Sequence, residues 1–274
     1  MSAGEQVLKS KLLPPRLRRH TLVRPRLHQR LLEALDMPLT IVQAGPGYGK
    51  TTALVSFLSA APCRWGWYAV SAEDQHPLPF LLHLIHAVNA AAPGLGERAA
   101  ALLQSAAGPH RPWTQVVDAL TADLHGHAGQ ELLVVLDDFH HVDENPQIVA
   151  LVEQFIEHMP HHVHLALATR RRPPLSGLPR WRALADVVEL SEKDLAFTPA
   201  EVEELFLDQY GIRLTGGQTA ALAARTEGWI IALQLAWQGL RKGSALQDFW
   251  EGQPKNLDTL FDYLAHEVLD RQPP

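Results

Sequence analysis

Leu39-Thr40-Ile41-Val42-Gln43-Ala44-Gly45-Pro46-Gly47-Tyr48-Gly49-Lys50-Thr51 is the stretch whose reading decides the fold. Leu39 to Ala44 is a short apolar run of the length of a buried strand, and it runs into three glycines set two residues apart. Gly45, Gly47 and Gly49 carry no Cβ, so successive backbone N–H groups can turn inward around the oxygens of an anion. Lys50 then brings an ammonium to where the β- and γ-phosphates of a nucleotide lie, and the hydroxyl of Thr51 suits magnesium. A helix that starts after Gly49 and runs on from Thr52 to Ala61 adds the positive end of its dipole. Ala44 to Thr51 matches the Walker A pattern except at its first position, where alanine replaces glycine. A glycine-lysine-threonine tripeptide alone arises readily by chance; the strand before it, the helix after it and the two extra glycines supply the specificity. Gly45, Pro46, Gly47, Tyr48, Gly49, Lys50, Thr51 and Thr52 are the expected contacts to ATP or ADP with Mg2+.

Outward from this loop, strands and helices alternate. Trp65 to Val70 reads as a strand and Pro77 to Ala92 as a helix with Phe80, Leu81, Leu84, Ile85 and Val88 on its apolar side. Alanine-rich sequence punctuated by glycine and proline fills 90 to 112 without a clear element. Trp113 to Leu124 has helical spacing, Leu132 to Leu136 is a second buried strand, Ile148 to Phe155 a helix, and Val163 to Ala168 and Val187 to Leu190 are strands. This alternation predicts an α/β fold, a P-loop nucleotide-binding domain with a mostly parallel five-stranded sheet flanked by helices.

Two further strand ends carry polar chemistry. Asp137 closes the run LLVVLDDFH, where a Walker B aspartate holds magnesium, and Asp138 beside it is placed to orient or deprotonate the attacking water. A strand-ending pair of aspartates can equally just begin a turn. Ala168-Thr169-Arg170 ends the next strand, and Arg170 is the candidate γ-phosphate sensor, since ligands of open α/β sheets collect at the carboxyl ends of strands. Three consecutive arginines also fit a solvated loop. Lys50, Asp138 and Arg170 are thus the candidate catalytic residues, and Thr51 with Asp137 the candidate magnesium ligands.

After Leu190 the strand signal stops. Thr198-Pro199-Ala200-Glu201 is a capping box with proline at the first helical position, so a helix burying Val202, Leu205 and Phe206 begins there. Thr215 to Gln218 is a second, weaker box, Trp229 to Leu240 a third helix, and Asn256 caps a fourth running to Asp270. The expected organisation is an extended lead-in over 1–24, the nucleotide-binding domain over 25–195, a small all-helical lid over 196–254 and a further helix over 255–274.

Composition narrows the function classes. The net charge is −6, which argues against nucleic acid as the partner of this segment. Cys63 is the only cysteine, so no intrachain disulfide is possible and a reducing compartment is the natural reading. There is no secretory leader pattern and no run of about 18 apolar residues, which points to a cytoplasmic protein with no membrane partner. The histidines at 140 and 141 and at 158, 161, 162 and 164 lack a second ligand pair at metal spacing, and the tryptophans read as core or interface anchors.

With these motifs placed, the sequence resembles the nucleotide-binding region of the MalT-type (LAL) transcriptional activators, large LuxR-family members of the STAND class of signal-transduction ATPases. The resemblance covers almost the whole chain and rests on KLLPPRLRRHTLVRPRL, AGPGYGKTT, LLVVLDDFH, ATRRRPPL, DLAFTPAE, TEGWIIALQLA and DYLAHEVLDRQPP. It implies that Leu22, Val23 and Arg24, just before the first helix, pack on adenine, and that the lid reaches the base through the turn at Gly228-Trp229-Ile230. It implies an ATP-dependent switch that hydrolyses slowly and self-associates when ATP and an inducer are bound. It further implies that the native protein continues into a winged helix, an inducer-sensing helical array and a C-terminal DNA-binding domain, the chain here being a fragment. The other open reading is an enzyme whose turnover is the output, a nucleotide kinase or a transport ATPase. No acceptor-binding signature and no LSGGQ-like sequence accompanies the loop.

Overall fold

Leu39, Thr40, Ile41 and Val42 are all buried, and a strand buried on both faces belongs in the middle of a covered parallel sheet. In the computed structural model, which describes residues 7–19, 21–105, 113–127 and 129–241, that strand, β1 (Leu39–Gln43), pairs in parallel with β4 (Val163–Thr169) on one side and β5 (Val187–Leu190) on the other. β2 (Arg64–Ala69) and β3 (Leu132–Asp137) complete the order β2-β3-β4-β1-β5, every pairing parallel. The expected five-stranded sheet is therefore present. The helices in chain order are α1 (Pro25–Leu32), α2 (Lys50–Leu58), α3 (Pro77–Ala91), α4 (Glu97–Ser105), α5 (Trp113–His125), α6 (Pro146–His158), α7 (Leu178–Leu184), α8 (Glu192–Leu195), α9 (Pro199–Glu204), α10 (Gly216–Thr226) and α11 (Ile230–Arg241).

The chain divides into two compact units. The first comprises the described residues within Met1–Arg16, Pro25–Gln43 and Ala53–Ser191. Its core joins the sheet to α3, α5 and α6 through Phe80, Leu84, Val117, Leu120, Val152 and Phe155, among others. Helix α3 lies so close to β2 that a Cβ on Gly66 would stand 2.2 Å from the Ala87 carbonyl oxygen, which is why glycine interrupts the otherwise bulky RWGWYA strand. Burial, with the negative charge of Glu131, pushes the Cys63 thiol up to about 11, an inert thiol at neutral pH.

The second unit comprises, of the described residues, those within Leu17–Arg24, Ala44–Thr52 and 192–241. Leu22 lies in its core with Val202, Leu205, Phe206, Leu214, Leu222, Leu233 and Ala236. Both expected capping boxes are made: Glu201 N–H donates to Thr198 Oγ1 and Thr198 N–H to Glu201 Oε2, and Thr215 and Gln218 do the same one helix later. Proline at the first turn of α9 costs nothing, because that N–H has no partner within the helix. A single π turn over Leu205–Gln209 extends α9 and carries Leu205 and Phe206 into the core.

Three expectations need correction. The lead-in is not wholly extended: Lys9–Leu12 forms a 3₁₀ turn, because the Lys11 ammonium reaches both carboxylate oxygens of the buried Asp74 at 2.8 Å and Leu8 N–H donates to His83 Nε2. The stretch from 90 to 112 contains α4, whose Ala99 and Leu103 are buried. Leu178 to Leu184 forms a helix that the sequence reading omitted, fixed by the buried Trp181. The expected helix from Asn256 to Asp270 lies outside the described residues.

Candidate functional site

In the second unit, Ala44–Thr52 follows β1 in the chain as a loop whose Gly47 and Gly49 have φ of +74° and +81°, left-handed values that glycine adopts without penalty. Lys50, 7% exposed, turns its ammonium back on the loop, donating to the Ala44 carbonyl at 2.8 Å and the Gly45 carbonyl at 3.1 Å. Lys50 and Thr51 open helix α2, so backbone N–H groups of its first turn lie beside the lysine. Loop, cation and helix start form the arrangement that cradles a polyphosphate.

Residues from the helical part of the same unit hold this loop from outside. The Trp229 indole N–H donates to the Pro46 carbonyl at 3.1 Å, and its ring centroid lies 6.4 Å from that of Tyr48. Gly45 N–H donates to Glu192 Oε1 at 2.8 Å. A Cβ on Gly47 would stand 2.4 Å from Ile231 Cγ1 and 3.0 Å from Trp229 Nε1. Partial burial, then the charges of Glu192 and Glu227, push the Tyr48 phenol upward, so it stays neutral and able to donate at neutral pH. The structure thus brings Trp229 and Ile230 together with the loop residues, and adds Glu192 and Ile231, which the sequence reading missed. No local signal marks Glu192, since its contact spans most of the chain.

Gly47→Ala is expected to destabilise the second unit by about 1–2 kcal/mol from the positive φ alone, and by more because Ile231 has to move. The midpoint of thermal unfolding without nucleotide checks this; an unchanged midpoint would mean that the loop is not seated against Ile231.

Leu22, Val23 and Arg24 divide by environment. Leu22 is core, Val23 is 55% exposed, and the Arg24 guanidinium is buried, donating to the Leu195 and Ala196 carbonyls at 2.7 Å each and to Glu201 at 2.9 Å, with its carbon 4.0 Å above the Phe197 ring centre. Those contacts place the Arg24 head group inside the protein, so Val23 carries the exposed apolar surface of this segment.

In the first unit, β3 ends on Asp137, which is 5% exposed. Asp138 follows in a left-handed conformation, φ 57° and ψ 37°, where aspartate is tolerated better than most residues, and it leads into the 3₁₀ turn Phe139–His141. Both of its sequence readings are therefore compatible with its place: it starts a turn, and its side chain is 41% exposed with Oδ1 3.7 Å from His140 Nδ1. Arg170 is the first residue beyond β4. Its neighbour Arg171 is engaged elsewhere, with Asp143 at 2.6 Å and Glu144 at 2.6 Å, and the hydrogen bonds to Asp143 push its guanidinium pKa further up. One of the three arginines is thus an anchored ion pair rather than a solvated side chain.

No family model matches the chain. It is 32% identical over 268 residues to the HTH-type transcriptional regulator MalT of Serratia proteamaculans and 30% identical over 270 residues to that of Yersinia enterocolitica, matching 96% and 97% of this chain. It spans 29% of the length of these curated relatives. The resemblance to MalT-type regulators read from the motifs is thereby borne out. Among solved structures, a signal transduction ATPase with numerous domains and a tetratricopeptide repeat sensor from Pyrococcus horikoshii aligns with a TM-score of 0.56 and 17% identity, over 82% of this chain and 30% of that one. The Walker-type ATPase of Pyrococcus abyssi aligns with a TM-score of 0.56 and 15% identity, over 94% and 78%. These likenesses show the fold alone, the parallel α/β sheet with its flanking helices. Among the described residues no helix is long and apolar enough to cross a membrane.

Proposed function

We propose that this chain is the nucleotide-binding region of a cytoplasmic MalT-type transcriptional regulator, a switch that binds ATP or ADP with Mg2+, hydrolyses ATP slowly and self-associates in its ATP form. The observation that carries the reading is the glycine loop itself. Gly47 and Gly49 take left-handed φ, Lys50 curls over the loop and α2 begins at once, which is what a polyphosphate requires.

In this reading the loop N–H groups and Lys50 hold the β- and γ-phosphates. Thr51 and Asp137 are the magnesium ligands, and the metal, when bound, neutralises charge that develops on the phosphates. Asp138 orients the attacking water and Arg170 senses the γ-phosphate. Val23, Trp229 and Ile230 bound the adenine, Leu22 and Arg24 acting through the packing of their segment. The alternative, an enzyme whose turnover is its output, gains no support from the relatives, which are named as regulators.

At 100 times its dissociation constant a nucleotide bound only by the folded state adds about 2.7 kcal/mol of stability. Mg-ATP and ADP are expected to raise the melting temperature, and Lys50→Ala to remove most of that rise. An undiminished shift in Lys50→Ala overturns the reading. DNA contact belongs to other parts of the regulator, so with a net charge of −6 this chain should show no operator binding. A gel shift that survives about 150 mM salt would contradict that, because non-specific contacts fade steeply with ionic strength.

A further inference from the structure

The contacts from Trp229 and Glu192 fall on particular peptide planes of the phosphate loop. In a trans peptide the carbonyl of one residue and the N–H of the next point in opposite directions. Trp229 draws the Pro46 carbonyl toward itself at 3.1 Å, so the N–H of Gly47 faces the other way. Glu192 takes the N–H of Gly45 at 2.8 Å, and the Ala44 carbonyl of that same peptide turns to Lys50 Nζ, also at 2.8 Å. Pro46 has no N–H, so the Gly45–Pro46 peptide between these planes can be oriented only through the Gly45 carbonyl, which Lys50 takes at 3.1 Å. Two residues of the helical segment thus set two of the first three peptide planes of the loop, and Lys50 sets the other end of one of them.

We propose that Trp229, with Glu192 in support, is a positioning residue for phosphate: it presets the peptide orientations of the Walker A loop, so that the loop grips a polyphosphate tightly only while the helical segment is docked on it. This rests on the assignment of the loop as a phosphate site. It differs from a role for Trp229 on the base, because the indole acts through its N–H on the Pro46 carbonyl. Affinity for phosphate and docking of the helical segment are then reciprocal, as linkage requires: whatever pulls the segment away loosens the nucleotide by the same factor as nucleotide holds the segment in place. The indole also stands close to Gly47, where a Cβ would lie 3.0 Å from Trp229 Nε1 and 2.4 Å from Ile231 Cγ1. The contact therefore depends on glycine at 47 as well as on an indole at 229.

The test uses the full 274-residue chain and two probes, Mg-ATP and Mg-tripolyphosphate, which has the phosphates and no base. Trp229→Phe keeps an aromatic face and removes the N–H. Loss of one hydrogen bond of this kind corresponds to a roughly five- to tenfold fall in affinity, and the fall is expected for both probes alike. Glu192→Ala is compared with Glu192→Gln, which keeps an acceptor for Gly45 N–H without the charge; the alanine variant is expected to bind both probes about threefold or more weakly than the glutamine variant. Equal affinity of Trp229→Phe and the unaltered chain for tripolyphosphate overturns the proposal, and a loss confined to ATP overturns it too, leaving Trp229 with its role on the base alone. If neither probe binds the unaltered chain, or Lys50→Ala binds as well as it does, the phosphate-site reading fails first. Far-ultraviolet circular dichroism of each variant, and its melting temperature without ligand, separate a misfolded variant from a misaligned loop; if Trp229→Phe is misfolded, the alanine and glutamine variants at 192 decide the outcome.

Discussion

Asp138→Asn is expected to lower single-turnover ATP hydrolysis by roughly 10²-fold or more while Mg-ATP affinity stays within about twofold. Asparagine keeps the size and the left-handed turn that Asp138 adopts, φ 57°, and is one of the few residues that tolerates it, so the turn into Phe139–His141 survives. What is lost is a carboxylate able to accept a proton from water. An interaction made only in the transition state lowers turnover without weakening the ground state. Asp137→Asn should behave differently: Asp137 is buried at the end of β3, and in its proposed role as a magnesium ligand its loss should weaken Mg-ATP binding itself. Titration of ATP and single-turnover hydrolysis on the same preparations distinguish the two. In an intact regulator, Asp138→Asn should linger in the ATP state and raise reporter output. Loss of ATP binding as severe as that of Asp137→Asn would show that the two carboxylates do not divide the work, and a silent reporter with ATP bound would exclude the switch.

The second large effect concerns stability. Glu201→Ala is expected to destabilise the second unit by about 3–5 kcal/mol, the cost of removing one partner from a buried ion pair. The side chains of Arg24 and Glu201 are 8% and 11% exposed and meet at 2.9 Å, so the guanidinium left behind would keep its carbonyl partners and lose its counter-charge. The same carboxylate accepts from Thr198 N–H, so the alanine also removes half of the capping box of α9. Exchanging both charged residues at once, Arg24→Met with Glu201→Leu, should recover a large part of the loss, because a desolvated pair contributes little net energy compared with apolar packing. Denaturant unfolding followed by fluorescence measures both variants. A loss below about 1 kcal/mol for Glu201→Ala would mean the pair is effectively solvated.

The parts of the fold legible in the sequence are those with local causes. LLVVL could only be a strand buried on both faces, and Thr198 with Glu201 announced a helix start because the capping contacts lie three residues apart. What escaped had either weak periodicity or distant partners. ERAAALLQS forms α4, yet it buries only Ala99 and Leu103, too few positions to show a period, and Gly94 and Gly96 just before it read as loop. LPRWRAL is too short to show a period, and Leu178 and Trp181 together tie it down. The contact of Glu192 with Gly45 joins residues far apart in sequence, and no pattern within either neighbourhood encodes it. The glycines and lysine of the loop were legible because phosphate chemistry restricts residue types at fixed spacing; the groups that steady the loop from outside obey no such spacing.

The position of β1 bears on how the chain can be made. Leu39 finds its hydrogen-bonding neighbours only at Leu165 and Val187, so the middle strand is synthesised long before either flank. Until β4 leaves the ribosome, an apolar segment stands with both edges bare, and the closure of so long a loop must precede any gain from pairing. Only β2 with β3, and then β3 with β4, can zip together as they emerge; β1 must be inserted afterwards, between β4 and the four-residue β5. Nascent chains arrested before Val163 should therefore be the ones most dependent on chaperones, and those released past Leu190 should be able to fold in one late, cooperative step.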